Sequence, residues 1–141
     1  MNDVIKICKI LNIQPLTIVY SNDTNLFATK TTIAVSNINT NTIIFNNNFP
    51  PKTNFDKIFA VAHECRHFWQ FKNNIIDFET YLTSNDLSKI DYNIQPAELD
   101  AHAFACAYLM KTYKVKPLFL GFDEKFKNDI YEASNRIIRS I

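Results

Sequence analysis

Long apolar runs are missing from this sequence. Nothing approaches eighteen consecutive apolar residues, so no helix is expected to span a membrane. No run of Lys or Arg stands out and the formal net charge is +1, which removes the electrostatic footprint of a nucleic-acid binder. Cysteine is scarce. Cys8, Cys65 and Cys106 are odd in number and lack CxxC spacing, so free thiols are expected rather than a disulfide framework. The opening Met1-Asn2-Asp3-Val4 lacks the basic and apolar regions of a signal peptide. Together these absences predict a cytoplasmic protein that engages neither membrane nor nucleic acid. Glycine occurs once, at Gly121, while Asn and Ile are abundant. That bias fits an AT-rich genome, bacterial or phage, and carries little chemistry. No internal repeat or Pro/Ser linker divides the chain.

What is present is ordinary globular composition. Hydrophobic residues make up 47% and charged residues 21% of 141, which excludes intrinsic disorder and suits one domain over residues 1–141. Residues 3–12 place apolar groups at helical spacing behind an Asp3 cap, and Pro15 ends that helix. Leu16–Tyr20, Thr31–Val35 and Thr42–Phe45 are short β-branched runs between Asn/Asp/Thr/Ser clusters, the signals of strands and turns. The short turn 37–41 predicts that the last two strands pair antiparallel. Helical periodicity follows over about 54–72, capped by Thr53 or Asn54, then from Pro96 to about Tyr113, then from Asp123 to about Arg139. The stretch 73–94 is polar and poorly periodic. Strands first and helices after predict an α+β fold, with a small, mostly antiparallel sheet beside the helices.

The first long helix contains His63-Glu64-Cys65-Arg66-His67, an H-E-x-x-H pattern. Residues four apart lie on one helical face, one turn apart. Two imidazoles so placed can converge on one zinc ion at about 2.0–2.1 Å. Glu64 sits roughly 100° around the helix from His63. That is too far round to join the ligands comfortably and near enough to reach a metal-bound water as general base. With three His and five Glu in the chain, chance produces this motif roughly twice in a thousand such sequences. Mn, Co or Fe would suit the same nitrogen and oxygen ligands.

Two imidazoles do not complete a site, because a catalytic zinc usually has three protein ligands and a water. The extension that would supply a third His downstream is lacking, since position 70 is Gln and position 73 is Asn. Four candidates compete: Glu98, Asp100, His102 and Glu79. At about 100° per residue, Ala101, His102, Ala105, Cys106 and Leu109 share the face of Glu98, a small and apolar face suited to close helix packing. Asp100 points away and reads as solvated, so Glu98 is favoured. His102, one turn beyond Glu98, has four readings: a ligand in place of Glu98, a hydrogen-bonding support for a ligand, a donor to an oxyanion, or a buried His bonded to backbone. Cys65 and Cys106 read as small buried residues. Phe68, Trp69, Phe71 and Phe104 read as core, and Lys111, Lys114 and Lys116 as a solvated helix end.

The pattern His63-Glu64-Cys65-Arg66-His67 with downstream Glu98-x-x-Ala101-x-x-Phe104-Ala105 resembles the gluzincin type of zinc metallopeptidase. It is similar to the ImmA/IrrE-like metallopeptidase domain, over about residues 30–113, and to minimal stand-alone gluzincins. The resemblance implies a zincin-like fold, with a small sheet beside the H-E-x-x-H helix and Glu from a following helix. It implies peptide-bond hydrolysis, with proteins or peptides as substrates, Zn²⁺ on His63, His67 and Glu98, and Glu64 as base. Two departures stand out. Arg66 precedes the second His where the family often has a small residue, and His102 stands where it often has Asn or Asp. The rival expectation is a catalytically silent or regulatory zincin-fold binding module, a phage or host-defence effector. The strand Thr42–Phe45 is the expected edge for an extended substrate.

Overall fold

Four helices and three strands follow one another in the computed structural model of the chain, which describes residues 2–75 and 95–141. They are α1 (Asn2–Leu11), β1 (Thr17–Ser21), β2 (Ala34–Asn37), β3 (Thr42–Asn46), α2 (Asn54–Lys72), α3 (Pro96–Tyr113) and α4 (Glu124–Ile138). The fold class is α+β. Glu79 and nearly all of the polar stretch 73–94 lie outside the described residues. Among the described residues no helix is long and apolar enough to cross a membrane.

The sheet order is β1-β3-β2, with β3 central. β2 and β3 pair antiparallel as expected, Ala34 opposite Phe45 and Asn37 opposite Thr42. β1 and β3 run parallel, Thr17 beside Thr42 and Ser21 beside Asn46. The sheet is therefore mixed rather than mostly antiparallel. Residues 22–33 carry the chain across β3, so β1 joins the far side of β3 in the same direction, a pairing that needs a long connection. β3 has partners on both sides, which removes it as a free edge for a substrate. β2 also starts later than Thr31. Thr29, Thr31 and Thr32 hydrogen-bond one another within a local turn, the Thr29 N–H donating to Thr32 Oγ1 at 3.2 Å, and such side-chain bonds compete with strand pairing. The turn into β3 closes with Asn41 in the left-handed region, φ 51°.

Helix ends follow their chemistry. The Thr53 side chain accepts from the Asp56 N–H at the start of α2. Pro96 takes the first position of α3. Asp123 accepts from the Lys125 and Phe126 N–H groups at the start of α4. Asp3 is not a cap. α1 begins at Asn2, so Asp3 falls in its first turn, buried, where Oδ1 accepts from the Tyr108 and Tyr113 hydroxyls at 2.6 and 2.7 Å. That contact ties α1 to the end of α3.

α2 packs on α3, on α1 and on β2, and α4 covers another side of α3. Ile43 and Phe45 of β3 meet Ile58, Val61, Ala62, Cys65 and Phe68 of α2, Ile7 and Cys8 of α1, and Phe104, Ala105 and Tyr108 of α3. Each large apolar side chain buried this way contributes about 1.5–3 kcal/mol. α3 is buried at every position from Ala101 to Leu109, as a helix enclosed by neighbours must be. Its alanines let α2 come close. All three cysteines are free and buried. Phe68 and Phe104 are core as expected. Phe71 is 39% exposed, while Trp69 is half-buried, packed against the core with the Arg66 guanidinium 3.7 Å above its ring.

Candidate metal centre

α2 brings His63 and His67 one turn apart on the side that faces α3, and their Nε2 atoms lie 3.2 Å from each other. α3 brings Glu98 opposite them in its first turn. Glu98 Oε2 is 3.1 Å from His63 Nε2 and Oε1 is 3.0 Å from His67 Nε2. These three side chains form a group that could hold a metal ion, each offering one ligand atom. Tetrahedral zinc with bonds of about 2.0–2.1 Å has ligand atoms about 3.3–3.4 Å apart. Glu98 meets the two imidazoles through different oxygens, and one donor atom from each of the three residues lies within 4.8 Å of the others, a set compact enough to fit such an ion. The sequence-based choice of His63, His67 and Glu98 is thus brought together. Asp100 and His102 are not in the group.

The electrostatics of the cluster invite a cation. Glu98 is 1% exposed, yet it is held well below the usual carboxylate range: burial works against the charge, and His63 and His67 outweigh it. His67 is pushed up to about 9: burial opposes this, and Glu98, then Glu64 and Gln70, overcome it. In the metal-free chain a proton on His67 supplies the positive charge that the buried carboxylate requires.

Glu64 stands beside this group, not in it. Its Oε2 is 3.8 Å from His63 Nε2, while its Oε1 accepts from the Ser36 hydroxyl at 2.8 Å. Ser36 lies on β2, so the edge strand of the sheet orients Glu64. Sequence reasoning did not single out Ser36, and no periodicity signal marks it.

Behind His67 lies a polar network that sequence reasoning also missed. His67 Nδ1 is 2.8 Å from Gln70 Oε1, and Gln70 Nε2 donates to the Ala97 carbonyl at 2.9 Å and to Asp100 Oδ2 at 2.8 Å. Arg66 grips Asp100 with both arms of its guanidinium, Nε to Oδ2 at 2.7 Å and Nη2 to Oδ1 at 3.0 Å. Asp100 is therefore not simply solvated. It points away from Glu98, but the long Arg66 side chain and Gln70 reach it from α2. The usable signal was Gln70, three residues after His67 and so on a neighbouring position of the same helix.

His102 sits in different surroundings. Its ring centroid is 4.6 Å from that of His63 and 5.6–6.0 Å from those of Phe59, Phe119 and Phe122. Both ring nitrogens are buried without a hydrogen-bond partner among the described residues, and so is His63 Nδ1. The bond to Glu98 or to backbone that two of the sequence readings required is absent among those residues. Burial, reinforced by His63, pushes His102 down to about 3, so it is neutral near pH 7. Phe119 closes this box from the loop after α3 with φ 51°, a left-handed conformation that its packing on Phe59 and His102 has to hold.

Comparison of the chain with family models, with curated proteins and with solved structures returns no match.

Proposed function

We propose that the protein is a zinc-dependent endopeptidase. The observation that supports this best is the convergence of His63 Nε2, His67 Nε2 and the Glu98 carboxylate at 3.0–3.2 Å, with Glu64 beside them rather than among them. His63, His67 and Glu98 would hold Zn²⁺, and two His with one Glu is a ligand set that leaves a fourth position open. When bound, the ion supplies Lewis acidity and lowers the pKa of a water toward 7. Ser36 occupies Glu64 Oε1, so Oε2 is the atom that takes a proton from the attacking water. The same carboxyl then hands the proton to the departing amine nitrogen as the peptide C–N bond breaks. β2, the edge strand that carries Ser36, offers the place for an extended substrate to lie beside Glu64.

Metal analysis and peptide cleavage by the purified chain test the proposal. Glu64→Gln keeps zinc and loses the proton acceptor, so hydrolysis falls by 10² or more, roughly the size of a general-base contribution. Glu98→Ala weakens zinc binding itself. Zinc uptake with unchanged cleavage by Glu64→Gln overturns the mechanism. Zinc uptake without cleavage of any peptide turns the reading toward a zincin-type binding module.

A further inference from the structure

Gln70 is fully buried one turn beyond His67, a costly place for a primary amide unless its polar atoms are paired. Both N–H donors are committed to α3, one to the Ala97 carbonyl at 2.9 Å and one to Asp100 Oδ2 at 2.8 Å. Turning the amide over would set its oxygen against a carbonyl and a carboxylate, so the orientation is determined. The oxygen then faces His67 Nδ1 at 2.8 Å as an acceptor. His67 must carry a proton on Nδ1, and in the neutral ring Nε2 is left with a lone pair aimed at His63 and Glu98.

The geometry points to Gln70 as the positioning residue of the metal centre: it sets the tautomer of His67 and pins α3 at the register that delivers Glu98. This rests on the metal-centre reading above. Ala97 and Asp100, the two α3 groups that Gln70 grips, bracket Glu98 in sequence. A slip of α3 by one residue moves its groups about 1.5 Å along the axis and turns them by about 100°, which breaks both bonds. Arg66 keeps Asp100 in place for this, through its paired bonds at 2.7 and 3.0 Å. The chain Arg66–Asp100–Gln70–His67 thus passes from α2 to α3 and back. An acidic partner for a metal-bound His is supplied at one remove, through an amide.

The test uses the full chain, zinc competition against a chromophoric chelator, circular dichroism and ¹⁵N spectra of the three histidine rings. Gln70→Leu should stay helical and lose about 10–100-fold in zinc affinity, the usual cost of removing a group that orients a ligand. Gln70→Glu should lose affinity as well, since it sets a carboxylate against Asp100. Gln70→Met keeps the length and nearly the volume of the side chain without its amide, so it should lose affinity as Gln70→Leu does. Gln70→Met keeps the side-chain volume, so it decides the matter where Gln70→Leu does not fold. A folded Gln70→Leu that binds zinc within about twofold of the parent overturns the inference. So does a folded Gln70→Met that binds zinc as tightly as the parent. A parent that takes up no transition metal defeats the peptidase proposal instead. The His67 tautomer of the metal-free chain at alkaline pH then decides the inference about Gln70 separately: Nδ1–H in the parent supports it, and Nε2–H overturns it.

Discussion

His63 and His67 are the same residue type, one turn apart on one helix, and they are held in opposite ways. His67 is braced by hydrogen bonds: Gln70 behind it, then Asp100 and Arg66. His63 is braced by rings: Phe59 and His102 flank it, and its Nδ1 has no partner among the described residues. The polar side fixes a tautomer and a direction. The aromatic side fixes a ring plane and excludes water. A two-His motif therefore need not be symmetric in what each His requires, and the two sides respond differently to perturbation.

The largest difference should be in pH response of the metal-free chain. His67 is raised to about 9 and His102 lowered to about 3, from a common ordinary value near 6.5. Between pH 6.5 and about 9 the folded chain holds a proton on His67 that the unfolded chain has released, so the stability from His67 is complete below 6.5 and disappears as pH rises through about 9. Below 6.5 the unfolded chain takes up a proton that buried His102 refuses, so stability also declines on the acid side. Stability of the chelator-treated protein should peak near pH 6.5 and drop toward pH 9 by an amount of order 3 kcal/mol. Zinc added in excess should stabilise most at the alkaline end, where no proton competes. Thermal unfolding from pH 5.5 to 10, with and without chelator, measures both curves. A flat metal-free curve between pH 6.5 and 9 would remove the His67 side of the contrast.

Next in size is a pair of matched substitutions measured in the metal-free state near pH 7. Gln70→Leu takes one of its donors from Asp100 and removes the amide partner of the Ala97 carbonyl and of His67 Nδ1, so it should cost about 1–3 kcal/mol. His102→Leu removes two buried nitrogens that have no partner among the described residues and leaves an apolar side chain among Phe59, Phe119 and Phe122. It should be neutral or stabilising, since no hydrogen bond is lost. Denaturant unfolding reads both. If His102→Leu destabilises as much as Gln70→Leu, the two sides of the centre are not distinct. Should it stabilise the fold and still depress peptide cleavage, His102 is retained for function at the expense of stability.

How much of this could be seen in the residues depends on what kind of force makes each feature. The spacing of His63 and His67, and the small face around Glu98, are consequences of helical geometry, which sequence expresses directly. β2 began later than its β-branched run because the hydroxyls of Thr29, Thr31 and Thr32 bond locally, a competition that propensity alone does not resolve. The parallel pairing of β1 and β3 is set by how the chain crosses the sheet. Asp100 is not simply solvated because Arg66 and Gln70 on α2 reach around to it, contacts that its direction relative to Glu98 does not express. In the sequence Gln70 marks only a position where a third His is lacking. An amide declares its role only once both of its faces have partners, and those partners come from another helix.

The smallest effect expected belongs to Ser36, and it bears on how the sheet takes part. Ser36 is the one side chain of β2 that hydrogen-bonds Glu64 among the described residues, at 2.8 Å to Oε1, with a second and longer approach of 3.3 Å to the Glu64 carbonyl. Ser36→Ala removes a partly buried hydrogen bond, worth about 0.5–1.5 kcal/mol, without touching any proposed ligand. Zinc affinity should therefore stay within experimental error of the parent. Cleavage should fall by about 3–10-fold, the rate equivalent of that energy, with the loss in kcat rather than KM because Glu64 is misaimed while substrate binding is intact. An unchanged kcat would mean that the helix alone aims Glu64, and that the sheet contributes only a surface for the substrate.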